Sequence, residues 1–324
     1  MDRRKFVRAS GFALAGTLLP IHANAQKLSS EAKILCGFPA GGTADLLSRV
    51  FAEGARSEVG QADVVETKTG ASGFIANQAL SNAGNDGRTI GLVAMASMCV
   101  APVMPGQKIP INVDTDLTPI GNFAGITNIL VIGKHTKFRS VPELIEQAKK
   151  NPGKITYASS GNGTSQHLSG ELFKKLAGID LLHVPYRGGA PAILDIVAGN
   201  CDIMFGNMPE YLPQINAGNL IPLAFGSPRP SPLFPNLPLM SSVLPDFVVV
   251  NWFAIYGPKS MSAEWVTFWN RTLRSIVGKS EVQKRFLDNG IDIIVSSPEE
   301  LRSTVSSDRR KWQSVIQSAG IRAD

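Results

Sequence analysis

The sequence predicts an α/β protein of two domains that meet at a cleft, and three observations carry that prediction. Short apolar runs alternate with helix-like stretches, the grammar of βαβ units whose sheet is covered on both faces. That grammar runs to about residue 95, stops at a polar loop, and starts again near residue 129. With the first 25 residues set aside as a leader, about 299 remain, more than one comfortable core.

In the first half, 34–38 reads as a buried strand, 44–59 as a helix, 62–67 as a strand, 72–81 as a helix and 89–95 as a strand. A polar loop follows over 105–117. The second half opens with a strand at 129–133. Ser140, Pro142 and Glu143 then start a helix over 141–150. Strands at 154–158, 181–184, 203–205 and 220–225 and helices at 165–177 and 190–198 complete the repeat. Six prolines between 226 and 246 exclude helix and central strand, so this stretch is a structured linker back to the first domain. A strand at 248–256 and helices at 263–277, 280–289 and 298–319 follow, the last amphipathic through Leu301, Val305, Trp312, Val315 and Ile316. A chain that leaves its first domain and returns crosses twice, which makes a hinge. The expected division is 27–125 with part of 249–324 in one lobe and 126–248 in the other, with the ligand between them.

The N-terminus carries Arg3, Arg4, Lys5 and Arg8, an apolar stretch from Gly11 to Ile21, and Ala23-Asn24-Ala25. This is a secretory signal over 1–25, cut after Ala25; its apolar run is shorter than the ~20 residues of a membrane span. Arg3-Arg4 with Phe6 fits a twin-arginine signal, and an ordinary arginine-rich signal fits equally. Cleavage removes four basic residues and one acidic, so the formal charge falls from +6 to +3. The remaining basic residues are scattered, which argues against a nucleic-acid partner.

Cys36, Cys99 and Cys201 each lie in or beside an apolar run, which predicts buried free thiols and no disulfide framework. Histidines 22, 135, 167 and 183 form no cluster with metal-ligand spacing, so no metal is expected. Organic cofactors fare no better. The dinucleotide fingerprint at Gly161-Asn162-Gly163 has Gln166 in place of its third glycine, and Gly278-Lys279-Ser280 lacks the first glycine of a phosphate loop, having Leu273 there. No Gly-x-Ser-x-Gly elbow occurs, and Ser165 has no evident orienting partner, so an enzyme is not expected.

What remains is a pair of glycine-rich turns about 120 residues apart, Phe38-Pro39-Ala40-Gly41-Gly42-Thr43 and Ser159-Ser160-Gly161-Asn162-Gly163-Thr164. Each follows an apolar run and precedes a helix. Two helix N-termini, one per domain, thus offer free backbone N–H groups to an anion.

These turns, with Ala44-Asp45 and Arg49, Asn85-Asp86-Gly87-Arg88-Thr89, Ser165-Gln166-His167-Leu168, His183-Val184-Pro185-Tyr186-Arg187-Gly188-Gly189-Ala190-Pro191-Ala192 and Ile215-Asn216-Ala217-Gly218, resemble the tripartite tricarboxylate transporter substrate-binding proteins, also called Bug proteins. The resemblance spans nearly the whole mature chain in order. It implies a type II periplasmic binding fold: a two-lobed clamp, monomeric, that closes on a small organic carboxylate and delivers it to the membrane subunits of a transporter. A receptor presenting its closed form to a membrane sensor kinase is the alternative.

Carried over residue by residue, the resemblance places the ligand at Pro39, Ala40, Gly41, Gly42, Thr43 and Asp45 in the first lobe, with Ser97 beside them. In the second lobe it places Ser159, Ser160, Gly161, Gly163, Thr164, Gln166 and His167, the turn Tyr186-Arg187-Gly188, and Gly206-Asn207 after the apolar run ending at Phe205. Asp45 reads better as a helix-start residue than as a ligand contact, and His167 as a structural histidine. Arg187 reads equally as a carboxylate partner or an exposed turn residue. An aspartate is common in the family where this chain has Gly206. A distal wall without a carboxylate is therefore expected, favouring an uncharged or carboxylate end of the ligand over an ammonium group.

Overall fold

The computed structural model describes residues 31–59 and 64–323. The leader, its cleavage after Ala25 and the first two residues of the expected strand 62–67 lie outside the described residues.

The first half contains β1 (Lys33–Cys36), α1 (Thr43–Val59), β2 (Val64–Thr67), α2 (Phe74–Ser81) and β3 (Thr89–Ala94). A short π-helical turn, Ala96–Val100, follows. The long strand β4 (Leu117–Gly133) leads into α3 (Val141–Lys150), β5 (Thr156–Ser159), α4 (Ser165–Ala177), β6 (Leu182–Pro185), α5 (Gly189–Ala198), β7 (Ile203–Asn207), α6 (Met208–Asn216) and β8 (Leu220–Phe225). The return comprises β9 (Val250–Pro258), α7 (Ala263–Gly278), α8 (Ser280–Asp288), β10 (Ile291–Ile293) and α9 (Pro298–Ala319). Helix starts follow local chemistry. Ser140, Thr164 and Ser262 accept the N–H groups of Glu143, His167 and Trp265, and Ser297 with Glu300 forms a reciprocal capping box.

The strands run in the order β2-β1-β3-β9-β4-β7-β5-β6, with β8 and β10 also on β4. β4 is shared by two sheets: Leu117 to Thr127 pairs with β9, and Asn128 to Ile132 pairs with β7. The molecule is therefore two α/β lobes joined along one strand, with β9 entering beside it. The expected parallel sheet is only partly realised. β1 is parallel to β2 and β3, and β5 to β6 and β7, but β9 is antiparallel to β3 and β4, and β4 to β7, β8 and β10. β9 arrives by the proline-rich return, with no helical crossover to impose parallel direction.

Three elements depart from the sequence reading. β4 begins at Leu117, not 129: pairing with β9 carries the strand through Pro119, Gly121 and Gly125, which interrupt its apolar run in sequence. Gly121 is there for space: a Cβ would lie 2.7 Å from the Ser296 carbonyl oxygen. α6 has no counterpart in the elements read from sequence; Pro209 falls in its first turn, where its missing N–H costs nothing, and Pro213 lies inside the helix. β10 is three residues long and is set by pairing with β4.

α9 touches both lobes. It buries Leu301, Val305, Trp312 and Ile316, and Asp308 accepts from Trp252 Nε1 at 2.7 Å. Arg309 donates to the Met98 carbonyl and to Asp114, while Lys175 of α4 donates to Ser318. The three cysteines are free and buried, and burial pushes each thiol above its ordinary pKa.

Candidate functional site

A cavity of 60 Å³ lies where the lobes face each other. Helix N-termini converge on it from both sides. Gly42, Thr43 and Ala44 open α1; Thr164, Ser165 and Gln166 open α4; Gly188, Gly189 and Ala190 open α5; Asn207 and Glu210 open α6. Each strand-to-helix turn exposes N–H groups that the helix leaves unpaired, and each helix end carries partial positive charge. Phe38, Ala94, Ala96 and Phe253 supply apolar walls, and Asn251 of β9 contributes an amide. No lysine, arginine or histidine among the described residues lines the cavity.

Of the residues singled out from sequence, Pro39, Ala40, Gly42, Thr43, Ser160, Thr164, Gln166, Gly188 and Asn207 line the cavity. The others stand behind it. Gly41, at φ 84°, gives its N–H to Asp45 Oδ2 at 3.0 Å, and Asp45 also accepts from Arg49 Nε at 3.0 Å. Burial raises the Asp45 carboxyl, but the bonds from Arg49 and Gly41 outweigh it and hold the group below its ordinary pKa. Asp45 is thus a clasp that shapes the loop and does not reach the cavity.

In the second lobe, Ser159 Oγ lies 2.7 Å from His183 Nε2 and accepts the Gly161 N–H. Gly163 donates to His167 Nδ1 at 3.1 Å, and the His167 ring stacks on His183 with centroids 4.3 Å apart. Both histidines brace the loop from behind. Tyr186 turns away to donate to Asp195 at 2.7 Å, and Arg187 is exposed outside the cavity. Ser97 is buried and donates to the Ser72 carbonyl at 3.2 Å.

Ser72 itself was not foreseen. It lines the cavity, holds a left-handed φ of 54°, and donates to the Asn162 carbonyl of the opposite lobe at 3.2 Å. A serine in that backbone region is strained, and such strain concentrates at working sites. Gly188, at φ 115°, likewise packs across the cleft, where a Cβ would lie 3.1 Å from Pro39 Cγ.

The expected carboxylate-free wall is corrected by Glu210. Gly206 does not open the wall, because the space its side chain would take belongs to Tyr211: a Cβ there would lie 2.3 Å from the hydroxyl. Four residues on, Glu210 turns its carboxyl into the cleft. Oε1 accepts from Thr43 Oγ1 at 2.8 Å, Thr43 N at 3.4 Å and Asn207 Nδ2 at 3.2 Å, so it ties the two lobes. Burial pushes this carboxyl above its ordinary pKa, against the hydrogen bonds that lower it. The signal in the sequence was an acid in the first turn after a strand, the same junction as the two glycine-rich turns, concealed by the unrecognised helix α6.

Among the described residues no group of three or more His, Cys, Asp or Glu could hold a metal, and no helix is long and apolar enough to cross a membrane.

Comparison with known proteins places this architecture. The family model "Tripartite tricarboxylate transporter family receptor" matches residues 47–321. Protein BugT of Bordetella pertussis is 29% identical over 311 residues, covering 96% of this chain and 95% of that one. A Pseudomonas protein described as "UPF0065 protein in tcbD-tcbE intergenic region" is 31% identical over 281 residues, covering 86% and 83%. Among solved structures, "R. palustris Rpa4515 with adipate" superposes with a TM-score of 0.87 at 28% identity, covering 90% of this chain and 98% of that one. The periplasmic binding protein BugD gives 0.85 at 28% identity, covering 91% and 99%. The match over nearly the whole chain, on a fold whose two lobes enclose a cavity walled by helix N-termini, shows that this chain belongs to the tripartite tricarboxylate transporter receptor family.

Proposed function

We propose that this chain is a periplasmic solute receptor that captures a small organic carboxylate between its lobes and delivers it to the membrane subunits of a tripartite tricarboxylate transporter. It acts as a monomer, without cofactor or catalytic step, after export and removal of residues 1–25. The observation that carries the reading is the convergence of α1, α4, α5 and α6 N-termini on one cavity without a cationic side chain, a site that holds an anion by dipoles and releases it readily. The adipate of the R. palustris relative is a carboxylate in keeping with such a site. At 60 Å³ the closed cavity has space for roughly four waters, so it suits a compact ligand or opens further for a longer one.

On this reading the lobes divide as 27–125 with part of 249–324, and 126–248, with 27–30, 60–63 and 324 outside the described residues. The hinge falls where β4 changes partners between Thr127 and Asn128, opposite Val250 at the start of β9. A thermal-shift screen of aliphatic, aromatic and di- or tricarboxylates on ligand-stripped protein tests the reading. A true ligand at a hundred times its Kd stabilises the protein by about 2.7 kcal/mol. Gly42→Val is the matched control. A Cβ at Gly42 meets only the Pro39 carbonyl, at 3.6 Å, so the variant folds, while its side chain obstructs the loop. Shifts given only by neutral sugars, or undiminished in Gly42→Val, would refute the proposal.

A further inference from the structure

The cleft holds one acid that an anion clamp does not need. Glu210 Oε1 has its three donors from Thr43 and Asn207, but Oε2 is sealed from solvent and meets no donor at all, although the stem of the residue is partly exposed. Its surroundings are shaped to keep it there: a Cβ on Gly189 would lie 2.5 Å from Oε2 and 3.4 Å from Ser160 Oγ. A buried carboxylate oxygen left unpaired is costly, and no cationic side chain among the described residues lines the cavity to neutralise it.

The two needs of the cavity differ in sign. The helix N-termini call for an anion, whereas Oε2 calls for a donor, best a cation. A ligand bearing only carboxylates brings a second negative charge beside Glu210 in a space of 60 Å³, and like charges that close disfavour each other strongly. A ligand bearing a carboxylate and an ammonium meets both. We propose that Glu210 is the specificity-determining residue of this cleft, selecting compact carboxylates that also carry an ammonium group, which donates to Oε2. The inference rests on the carboxylate-receptor reading, and it reverses the preference that Gly206 suggested.

Burial raises the Glu210 carboxyl, so it keeps its proton to higher pH than a free carboxyl does, and a cation beside Oε2 favours the charged form. Thr43 of α1, Asn207 of β7, Ser160 of the turn between β5 and α4, and Gly189 of α5 surround it without a titratable group, while Tyr211 beside it on α6 donates its hydroxyl to the Phe205 carbonyl. An ammonium ligand therefore displaces the proton of Glu210 and binds more tightly as pH rises; a plain dicarboxylate would share that proton and bind more tightly as pH falls.

The test is calorimetric titration of wild type and Glu210→Gln with aspartate against succinate and β-alanine against propionate, at pH 5.5 and pH 8. In wild type the nitrogen-bearing member of a pair binds about ten- to hundred-fold more tightly, the range for a hydrogen bond to a charged group. Glutamine keeps a carbonyl for Thr43 and Asn207 and abolishes most of that preference. Should Glu210→Gln fail to fold, Gly189→Ala presses a methyl on Oε2 with the charge retained, and it also loses the preference. Equal or tighter binding of succinate and propionate, or a preference that survives both variants, overturns the inference while leaving the carboxylate receptor standing. Binding of no carboxylate of either kind overturns both.

Discussion

Thr43→Val isolates one side-chain bond that joins the two lobes. Thr43 opens α1, yet its hydroxyl does not cap that helix; it donates to Glu210 Oε1 on the opposite lobe at 2.8 Å. Valine has the same shape and similar helix propensity, and it keeps the backbone N–H, which reaches the same oxygen at 3.4 Å. The substitution thus removes one hydrogen bond that exists only when the lobes are together. Bonds to neutral partners contribute about 0.5–1.5 kcal/mol and to charged ones about 1.5–3, so about 1.5 kcal/mol is the value common to both ranges. That energy falls on the closed state alone and shifts the closed-to-open ratio about tenfold. The other ties between the lobes are the bond from Asn251 Nδ2 to Asn207 Oδ1 at 3.0 Å, that from Ser72 Oγ to the Asn162 carbonyl at 3.2 Å, and the packing of Gly188 on Pro39, none of which the substitution touches. Small-angle scattering of ligand-free protein should show a larger radius of gyration for Thr43→Val than for wild type, and saturating ligand should return both to one compact curve. Identical ligand-free curves, with unchanged ligand affinity, would show that this bond does not govern closure.

Other expectations follow from single residues. Because the folded state holds the Glu210 proton to higher pH than the unfolded chain, its contribution is present in acid and is lost as pH rises above the ordinary 4.5 through the raised value. Glu210→Gln should therefore melt higher than wild type at pH 8 and lose that advantage near pH 4; an advantage that grows in acid contradicts the sign. Asp45 has the opposite sense, with its pKa lowered, so Asp45→Asn should destabilise at neutral pH and lose that effect as pH falls below the ordinary 3.8 through the lowered value, as melting curves would register. Gly206→Ala forces a methyl to 2.3 Å from the buried Tyr211 hydroxyl, and overpacking of this kind costs about 1–3 kcal/mol, visible as a melting point lower by several degrees. Thiol titration at pH 8 should find Cys36, Cys99 and Cys201 unreactive in native protein and all three reactive after denaturation; fast labelling of any would contradict their burial.

The sequence by itself determined whatever depends on neighbours along the chain. Helices 141–150, 165–177 and 298–319 were legible to the residue because serine, threonine, proline and glutamate caps start them and an apolar stripe fills them. Both glycine-rich turns were legible for the same local reason, and nine of the residues chosen from them and their surroundings line the cavity. The tertiary structure alone decided what depends on strands brought from far away. β4 extends through Pro119, Gly121 and Gly125 because β9 and β7 pair with it in succession, a partnership no local pattern encodes. Glu210 looks in sequence like one more acid near a helix start. Only the approach of Thr43, 167 residues earlier, encloses its carboxyl and leaves one oxygen waiting for a partner. Capping and periodicity act over a few residues, whereas burial and charge pairing act through space, so the chain announces its lobes and loops while the folded cleft sets the chemistry between them.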